Sequence, residues 1–302
     1  MKILSLGSLN FDLVYRVPHV NLEGETIAAR NFDEKIGGKG LNQSIALARA
    51  GADVAMAGCV GEDGAPLIET LRAAGVNADL IRTVNGRSGH AIIQLADSGA
   101  NAIVIYGGAN DRITPTMIDE TLAHFSAGDW LLLQNETANV DYAIRAAKAH
   151  GMKVALNPSP ISDALLRYPL ELVDLFILNE IEGQTLAGVT QNDGRAILAS
   201  LADRFPAAAI VLTLGERGAL YHDESTDLFC PAFDAPVVDT TAAGDTFCGF
   251  FLSGTIRGMS PADALTMASR ASALAIGTLG AAVSIPTWEA AERTAFRAKP
   301  YC

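Results

Sequence analysis

The chain has 302 residues, and 49% of them are hydrophobic, which is enough for one large α/β domain or two ordinary ones. The formal net charge of −12 argues against a nucleic-acid surface, because such a surface needs clustered lysine and arginine. The apolar runs are too short to cross a membrane, no leader precedes the first strand, and the four cysteines lack metal-binding spacing, so we expect a soluble, cytoplasmic protein with reduced thiols.

Short apolar strands alternate with amphipathic helices along most of the chain. Strands are predicted over 2–7, 54–58, 102–106, 129–133, 153–156, 175–178 and 210–214. Helices are predicted over 41–50, 65–74, 139–149, 160–167 and 192–204, from Thr114-Pro115 onward, and over most of 243–302. This alternation is typical of a mostly parallel sheet that is covered by helices on both faces.

Two segments, 11–36 and 80–95, carry strand-like stretches without an intervening helix. Hairpins at the edge of the main sheet are one interpretation. A second, separate sheet is the other, and we favour it because the two segments lie far apart in sequence yet need each other to form a sheet.

Polar residues follow several predicted strands, and in open α/β sheets ligands gather beyond the carboxyl ends of the strands. Asn10 and Asp12 follow the first strand and supply the donors and acceptors that a polyol needs, although turn formation alone would also explain them. Glu136 follows a later strand, where a solvated loop acid is the alternative. The glycine-rich run 37–43 is not a Walker motif, because no Ser or Thr follows Lys39.

Two later stretches are compatible with ordinary local structure. Residues 179–182 place two acids in the first turn of a helix, where the helix dipole favours them. Residues 213–218 follow a strand and contain two glycines, which is typical of a tight hairpin turn.

The stretch Asp239-Thr240-Thr241-Ala242-Ala243-Gly244-Asp245-Thr246-Phe247 connects a predicted strand at 235–238 to a predicted buried helix at 247–256. Small residues in its middle would let successive backbone N–H groups point into one space at the start of the helix, which makes an anion site; they are Ala242, Ala243 and Gly244. Asp245 lies inside this site, which makes sense if its carboxylate removes a proton while the backbone holds a developing negative charge. An ordinary strand–turn–helix with an acidic first turn is the alternative.

This stretch resembles the C-terminal signature of the ribokinase-like (PfkB) carbohydrate kinases, with Ala242 where the family usually has glycine. The run Gly37-Gly38-Lys39-Gly40-Leu41-Asn42 is similar to the N-terminal signature of the family, and Asn10-x-Asp12 looks like its sugar clamp. The resemblance implies a three-layer α/β/α domain over 1–302, with a central mostly parallel sheet and a small β-sheet lid from the 11–36 and 80–95 segments.

The resemblance also implies ATP-dependent phosphorylation of the primary hydroxyl of a small sugar, with ribose or a related pentose expected. Asp245 would be the base, and the N–H groups of Ala242, Ala243 and Gly244 would hold the developing charge. The implied sugar-binding residues are Asn10, Asp12, Gly38, Lys39, Asn42, Glu136 and Asp239. The implied ATP-binding residues are Asn179, Thr213, Gly215, Gly218 and Gly244.

Two ions and a second subunit belong to the same expectation. The family places magnesium near Glu182 through water, and such a hard cation prefers oxygen ligands and keeps several waters. It implies an activating potassium ion at Asp239, Thr241, Ala275, Thr278, Gly280 and Ser284. The lid would pair with a second copy of the chain to make a homodimer, and neither nucleic acid nor membrane is expected as a partner.

Two other classes of function stay open. Another member of the superfamily could phosphorylate a nucleoside, a hexose or a sugar acid; an extended apolar pocket would mark a nucleoside and a basic residue facing the sugar would mark an acid. A non-catalytic sugar sensor is disfavoured, because a pure binder has no need of the phosphate-handling residues Asp245, Asn179 and Glu182.

Overall fold

The computed structural model describes residues 1–190 and 193–299. The strands of the central sheet are β1 (Ile3–Leu6), β4 (Val54–Val60), β5 (Asn77–Thr83), β8 (Trp130–Gln134), β9 (Lys153–Asn157), β10 (Leu175–Asn179), β11 (Ala209–Thr213), β12 (Ala219–Asp223) and β13 (Thr226–Cys230). A smaller sheet contains β2 (Asn10–Val17), β3 (Asn31–Gly37), β6 (Gly89–Ala96) and β7 (Asn101–Tyr106). The α-helices are α1 (Lys39–Arg49), α2 (Ala65–Ala73), α3 (Pro115–Leu122), α4 (Val140–Ala149), α5 (Glu180–Ala187), α6 (Gly194–Arg204), α7 (Ala243–Ile256), α8 (Pro261–Ala275) and α9 (Trp288–Arg293).

The central sheet has the strand order β13-β12-β11-β10-β9-β8-β1-β4-β5, and its strands are parallel except for antiparallel pairing on both sides of β12. Successive residues of β1 face opposite cores, since Ile3 packs with α1, α2, α7 and α8, whereas Leu4 packs with α3 to α6. Helices therefore cover both faces of the sheet, which confirms the predicted three-layer arrangement.

The smaller sheet has the order β3-β2-β6-β7, with β2 and β6 parallel and both outer pairs antiparallel. We call this four-stranded sheet the lid. Its composition differs from the prediction in two strands. Asn77–Thr83, which overlaps the predicted lid segment 80–95, is β5 of the central sheet, and Asn101–Tyr106, predicted within the main alternation, is β7 of the lid. A tight turn through Gly99 folds β7 back onto β6, and strand patterning alone does not reveal that pairing.

Two other predicted elements are wrong. Residues 160–167 form a loop that ends in a 3-10 turn at Leu165–Arg167. A second 3-10 turn follows at Leu170–Leu172, and Pro169 between the two turns disfavours helical geometry in the residue before it, so the turns do not join into a helix. Residues 235–238 are not a strand, because Pro236 lacks an N–H and the Val238 N–H donates to the Ile276 carbonyl after α8 instead of to a sheet.

Several local predictions are confirmed. The Thr114 hydroxyl accepts from the Met117 N–H and caps α3. The helix predicted over 192–204 is α6, although residue 192 lies outside the described residues, as does Cys302. Within 1–190 and 193–299, no helix has the length and apolar character that a membrane span requires.

Helices α1 and α7 pack very closely, and Gly249 is at their contact. A Cβ atom at this position would lie 2.4 Å from the Ala46 Cβ and 2.9 Å from the Leu47 nitrogen. The absence of a side chain therefore sets the distance between the two helices, and both helices carry predicted site residues near their N-terminal ends.

We expect Gly249→Ala to lower the melting temperature, even though alanine is favoured over glycine in a helix interior by about 1 kcal/mol. The reason is that the new methyl group would push α1 away from α7. Gly254→Ala on the same helix is the matched control, because its Cβ would lie 3.0 Å from the Ala264 Cβ and should lower the melting temperature less. Scanning calorimetry of the two variants measures the difference, and an unchanged or raised melting temperature for Gly249→Ala would contradict this packing argument.

Candidate active site

The end of β1 and the start of α1 lie against each other, and this contact joins two of the predicted motifs. The Leu41 N–H donates to the Ser8 carbonyl at 3.0 Å. A Cβ on Gly40 would lie 2.5 Å from the Ser8 nitrogen, and Gly38 has φ +96, so glycine is needed at both positions. The predicted sugar-binding run 37–43 therefore lies against the chain just before Asn10 and Asp12, which brings two of the predicted motifs together.

Glu136 reaches this junction from the loop after β8. Its Oε2 accepts from the Lys39 N–H at 3.1 Å and from the Ser8 hydroxyl. Burial raises the pKa of Glu136, although the Lys39 charge opposes the rise. Burial also raises the pKa of Asp12 to about 6, and the charge of Glu136 adds to the effect. Two predicted sugar-binding acids thus share one poorly solvated region.

Lys39 offsets part of this negative charge. Burial lowers the pKa of its ammonium, but the carboxylates of Asp245, Glu136 and Glu182 outweigh burial and raise the pKa above its ordinary value. The ammonium is therefore held in its charged form among three acids that come from different parts of the sequence.

Asp245 is buried in the first turn of α7 and receives two amide hydrogen bonds from α1. The Asn42 Nδ2 donates to its Oδ2 at 3.1 Å, and the Gln43 Nε2 donates to its Oδ1 at 2.9 Å. The Asn42 Oδ1 is buried and has no hydrogen-bond partner among the described residues. The N-terminal and C-terminal motifs therefore meet at a single carboxylate.

The predicted anion site forms a turn at the start of α7, and we call residues 239–244 the anion turn. Ala242 has φ +59, a left-handed conformation that glycine adopts more readily. The Ala243 N–H closes the turn on the Thr240 carbonyl at 3.2 Å, whereas the N–H groups of Ala242 and Gly244 have no hydrogen-bond partner in the described part of the chain. Two of the three predicted N–H groups are thus available to an anion, and the third would have to leave its turn bond.

Two cavities lie on either side of this centre. One, of about 410 Å³, is lined by Thr213, Gly215, Gly218, Thr240, Ala243 and Gly244, so it joins the predicted nucleotide residues to the anion turn. The other, of about 330 Å³, is lined by Asn10, Ile105, Asn110, Asn135, Glu136 and Thr137, among others. The second cavity therefore includes two of the predicted sugar residues, Asn10 and Glu136. The other predicted sugar residues line neither cavity; they are Asp12, Gly38, Lys39, Asn42 and Asp239.

Asn179 and Glu182 bond mainly to each other at the start of α5. The Asn179 N–H and Nδ2 donate to the two carboxylate oxygens of Glu182, each at 2.9 Å, and the Glu182 N–H donates to the Asn179 Oδ1 at 3.0 Å. This is a capping box, so the helix-start interpretation of these residues also holds. Each Glu182 oxygen keeps acceptor capacity for a water molecule.

The residues predicted to hold potassium converge only in part. The Asp239 Oδ1 accepts from the N–H and hydroxyl of Thr241, and its Oδ2 accepts from the Gly280 N–H at 2.9 Å. Burial opposes the charge on Asp239, but these hydrogen bonds outweigh it and lower the pKa of the carboxyl. The remaining predicted ligands, Ala275, Thr278 and Ser284, lie at the end of α8 and in the loop that carries Gly280.

Sequence reasoning missed Asn110, which is buried behind Asn10. The Asn110 Oδ1 accepts from the Leu9 N–H at 3.0 Å, and its Nδ2 donates to the Asn10 Oδ1 at 2.7 Å. This fixes the Asn10 amide with its Nδ2 left to face a ligand. The only signal in the sequence is the pair of glycines before it, because Asn110 belongs to none of the recognised motifs.

A model described as pfkB family carbohydrate kinase matches residues 1–288. Ribokinase from Haemophilus influenzae is 36% identical over 292 residues, covering 93% of this chain and 94% of that protein. Deoxyribokinase from Salmonella typhi is 35% identical over 260 residues, covering 83% of this chain and 84% of that protein. The solved structure of Arabidopsis thaliana ribokinase complexed with ribose and ATP has a TM-score of 0.82 at 29% identity, covering 97% of each chain.

These similarities extend over nearly the whole chain and confirm the predicted ribokinase-like fold. Both family signatures identified in the sequence lie within the matched residues. The chain therefore belongs to the pfkB family of carbohydrate kinases.

Proposed function

We propose that this carbohydrate kinase transfers the γ-phosphate of ATP to the primary hydroxyl of ribose or a closely related pentose. The observation that carries the proposal is the Asp245 carboxylate, which lies beside the anion turn and is bonded by two amides of α1. A buried acceptor next to free N–H donors suits the removal of a hydroxyl proton during phosphoryl transfer.

In the proposed mechanism, Asp245 accepts the hydroxyl proton while the Ala242 and Gly244 N–H groups hold charge on the transferring phosphate. The N–H of Ala243 can join them if its turn bond to Thr240 opens. Asn42 holds the carboxylate through its Nδ2 and would contribute to the sugar side of the site from the start of α1. Lys39 supplies a fixed positive charge among the acids.

The sugar would be held by groups from four parts of the chain. Asn10 presents its Nδ2, Asp12 accepts two hydroxyl groups, and Glu136 completes the acceptors. Gly38 allows close approach to the backbone, and Asp239 would reach the sugar from the anion turn.

The lining of the smaller cavity supports a small neutral sugar. Its polar side chains come from Asn10, Asn110, Asp111, Asn135, Glu136 and Thr137, and no lysine or arginine is among the described residues that line it. An extended apolar surface for a nucleobase and a basic partner for a sugar acid are both missing from this lining. The similarity to ribokinases and to a deoxyribokinase supports ribose and 2-deoxyribose as the two leading substrates.

The larger cavity would hold ATP, with Thr213, Gly215 and Gly218 along it and Asn179 near the phosphates. Magnesium fits the residues present only as an ion held by phosphate and water, because the described residues contain no group of three or more acids, histidines or cysteines arranged to hold a metal ion. Glu182 would contact its water shell. When bound, the ion would supply positive charge between the phosphates.

We expect sugar-dependent release of ADP, with ribose or 2-deoxyribose giving the highest kcat/KM in a coupled assay that also includes fructose, nucleosides and aldonates. Asp245→Asn should lower kcat by about 10²- to 10⁴-fold, the usual loss for a general base, because an amide cannot take the proton. Sugar and ATP binding, measured by calorimetry, should survive in this variant. Near-native kcat in Asp245→Asn would rule out this base.

We expect the KM for the sugar to rise as the pH falls through about 6, the value to which burial raises the pKa of Asp12. Below that pH the carboxyl is protonated and loses acceptor capacity for the sugar hydroxyls. Asp12→Asn should show a high KM at every pH, with little change in the KM for ATP. A sugar KM in the native protein that stays flat from roughly pH 5 to 8 would refute the role of Asp12.

Potassium is expected to activate the enzyme. Asp239 already bridges Thr241 to Gly280, and a cation beside it would have the carbonyl and hydroxyl oxygens of Ala275, Thr278 and Ser284 within the same loop region. A bound cation would order this loop next to the anion turn. Adding potassium at constant ionic strength to a sodium- and potassium-free assay should raise kcat/KM severalfold, and an unchanged rate would reject the site.

The lid is proposed to form a homodimer. Ile103, Val104, Ile105 and Tyr106 of β7 are each more than half exposed, which leaves an apolar strand at the edge of a small sheet. Pairing with a second copy would cover it. Sedimentation velocity at micromolar concentration should show a dimer that Val104→Lys dissociates and that Leu166→Lys, outside the lid, leaves intact. A native monomer would contradict this.

A further inference from the structure

The side chain of Gln43 is completely buried and makes hydrogen bonds at both ends of its amide. Its Nε2 donates to the Asp245 Oδ1 at 2.9 Å and to the Asn157 Oδ1 at 3.0 Å. Its Oε1 accepts from the Gln134 Nε2 at 2.7 Å and from the Cys248 Sγ at 3.6 Å. Both amide hydrogens are therefore used, and no part of Gln43 is left to contact a sugar or a nucleotide.

One backbone carbonyl determines which atom donates and which accepts in each hydrogen bond from Asn157 through Gln43 to Asp245. The Ile177 oxygen in β10 can only accept, so the Asn157 group that bonds it at 2.8 Å must be the Nδ2. The Asn157 Oδ1 then faces Gln43 and requires a donor, which fixes the Nε2 of Gln43 on that side. Because Asp245 lies on the same side, it receives a donor as well. The backbone of the central sheet thus determines that the Asp245 carboxylate meets the Nε2 of Gln43 and not its Oε1.

We propose that Gln43 is a positioning residue for phosphoryl transfer, and that the amide chain from the Ile177 carbonyl through Asn157 and Gln43 fixes the orientation of the Asp245 carboxylate. This inference rests on the proposed role of Asp245 as the base. Asn42 bonds one carboxylate oxygen and Gln43 bonds the other, so the plane of the group is set and each oxygen keeps a lone pair for the hydroxyl proton.

The chemistry of an amide suits this position. Charged groups already surround Asp245, since Lys39, Glu136 and Asp12 all interact with it electrostatically. A further cation would pair with the carboxylate and reduce its tendency to take a proton, whereas a neutral amide orients the carboxylate with one hydrogen bond. Gln43 differs from Asn42 in that both ends of its amide are bonded, whereas the Asn42 Oδ1 has no partner among the described residues.

The test is a double-mutant cycle on the full-length protein, with ribose or whichever sugar the assay identifies. Gln43→Glu keeps the shape and the acceptor toward Gln134, but it places an oxygen against the two acceptors of Asp245 and Asn157. Asn157→Ala removes the link to Ile177 and leaves Gln43 in place. Ser44→Ala is the matched control, because Ser44 is buried on the same helix but bonds only the Gly40 carbonyl within it.

We expect Gln43→Glu to lower kcat roughly 10- to 100-fold, the effect of losing a hydrogen bond to a charged group. Asn157→Ala should lower kcat by about 2- to 10-fold, because it removes only a neutral hydrogen bond to Gln43. The KM values for sugar and ATP should change less than about threefold, since Gln43 touches neither cavity. In the Asp245→Asn background the same changes should have no further effect on the residual rate, because the carboxylate that they orient is gone. Ser44→Ala should leave kcat unchanged.

Several results would overturn the inference. Near-native kcat in Gln43→Glu and Asn157→Ala would do so, as would a loss that adds fully to that of Asp245→Asn, which would mark a structural role. If Gln43→Glu does not fold, the cycle with Asn157→Ala decides the matter. Failure of the proposed function is seen separately, as an absence of sugar-dependent ADP release by the native protein or an undiminished rate in Asp245→Asn.

Discussion

Two amide hydrogen bonds join α1 to the carboxylate of Asp245 on α7, and the organisation of the site depends on them. They can form only because the helices approach closely at Gly249, where a methyl group would meet the backbone of α1. An isolated buried carboxylate is costly, and two directed donors offset part of that cost. The close packing of α1 and α7 is therefore what allows the Asp245 carboxylate to be buried at this position.

The same region holds several buried or partly buried charged side chains close together. Asp12, Glu136 and Asp245 come from three distant parts of the chain, and Lys39 lies among them. Burial raises the pKa values of Asp12 and Glu136, so their negative charge is held less firmly than that of surface acids. In the proposed function, the hydroxyl groups of the sugar would restore the hydrogen bonds that these carboxylates lose on leaving water, which would give sugar binding an electrostatic driving force.

Much of the fold and part of the site could be predicted from the sequence. The stretches 239–247 and 37–43 could be recognised in the sequence, because their backbone geometry requires small residues and therefore leaves a clear pattern of glycine and alanine. Strand β7 was assigned to the wrong sheet, and residues 160–167 and 235–238 to the wrong element, because tertiary partners and prolines decided those segments. Asn110 escaped notice because it acts through Asn10, and a residue that supports another residue leaves no local signature.

The left-handed conformation of Ala242 has a consequence for how such chains are recognised. The turn requires a φ near +60 and an N–H that faces the phosphate, and glycine meets the first condition at no steric cost. Alanine meets both at a cost of about 1–2 kcal/mol, which a well-packed helix such as α7 can absorb. A motif written with an obligatory glycine at this position would overlook working kinases, whereas one written as a backbone geometry would retain them. A change from glycine to alanine in the anion turn therefore shows that the turn tolerates a side chain, and it is not in itself a sign of lost activity.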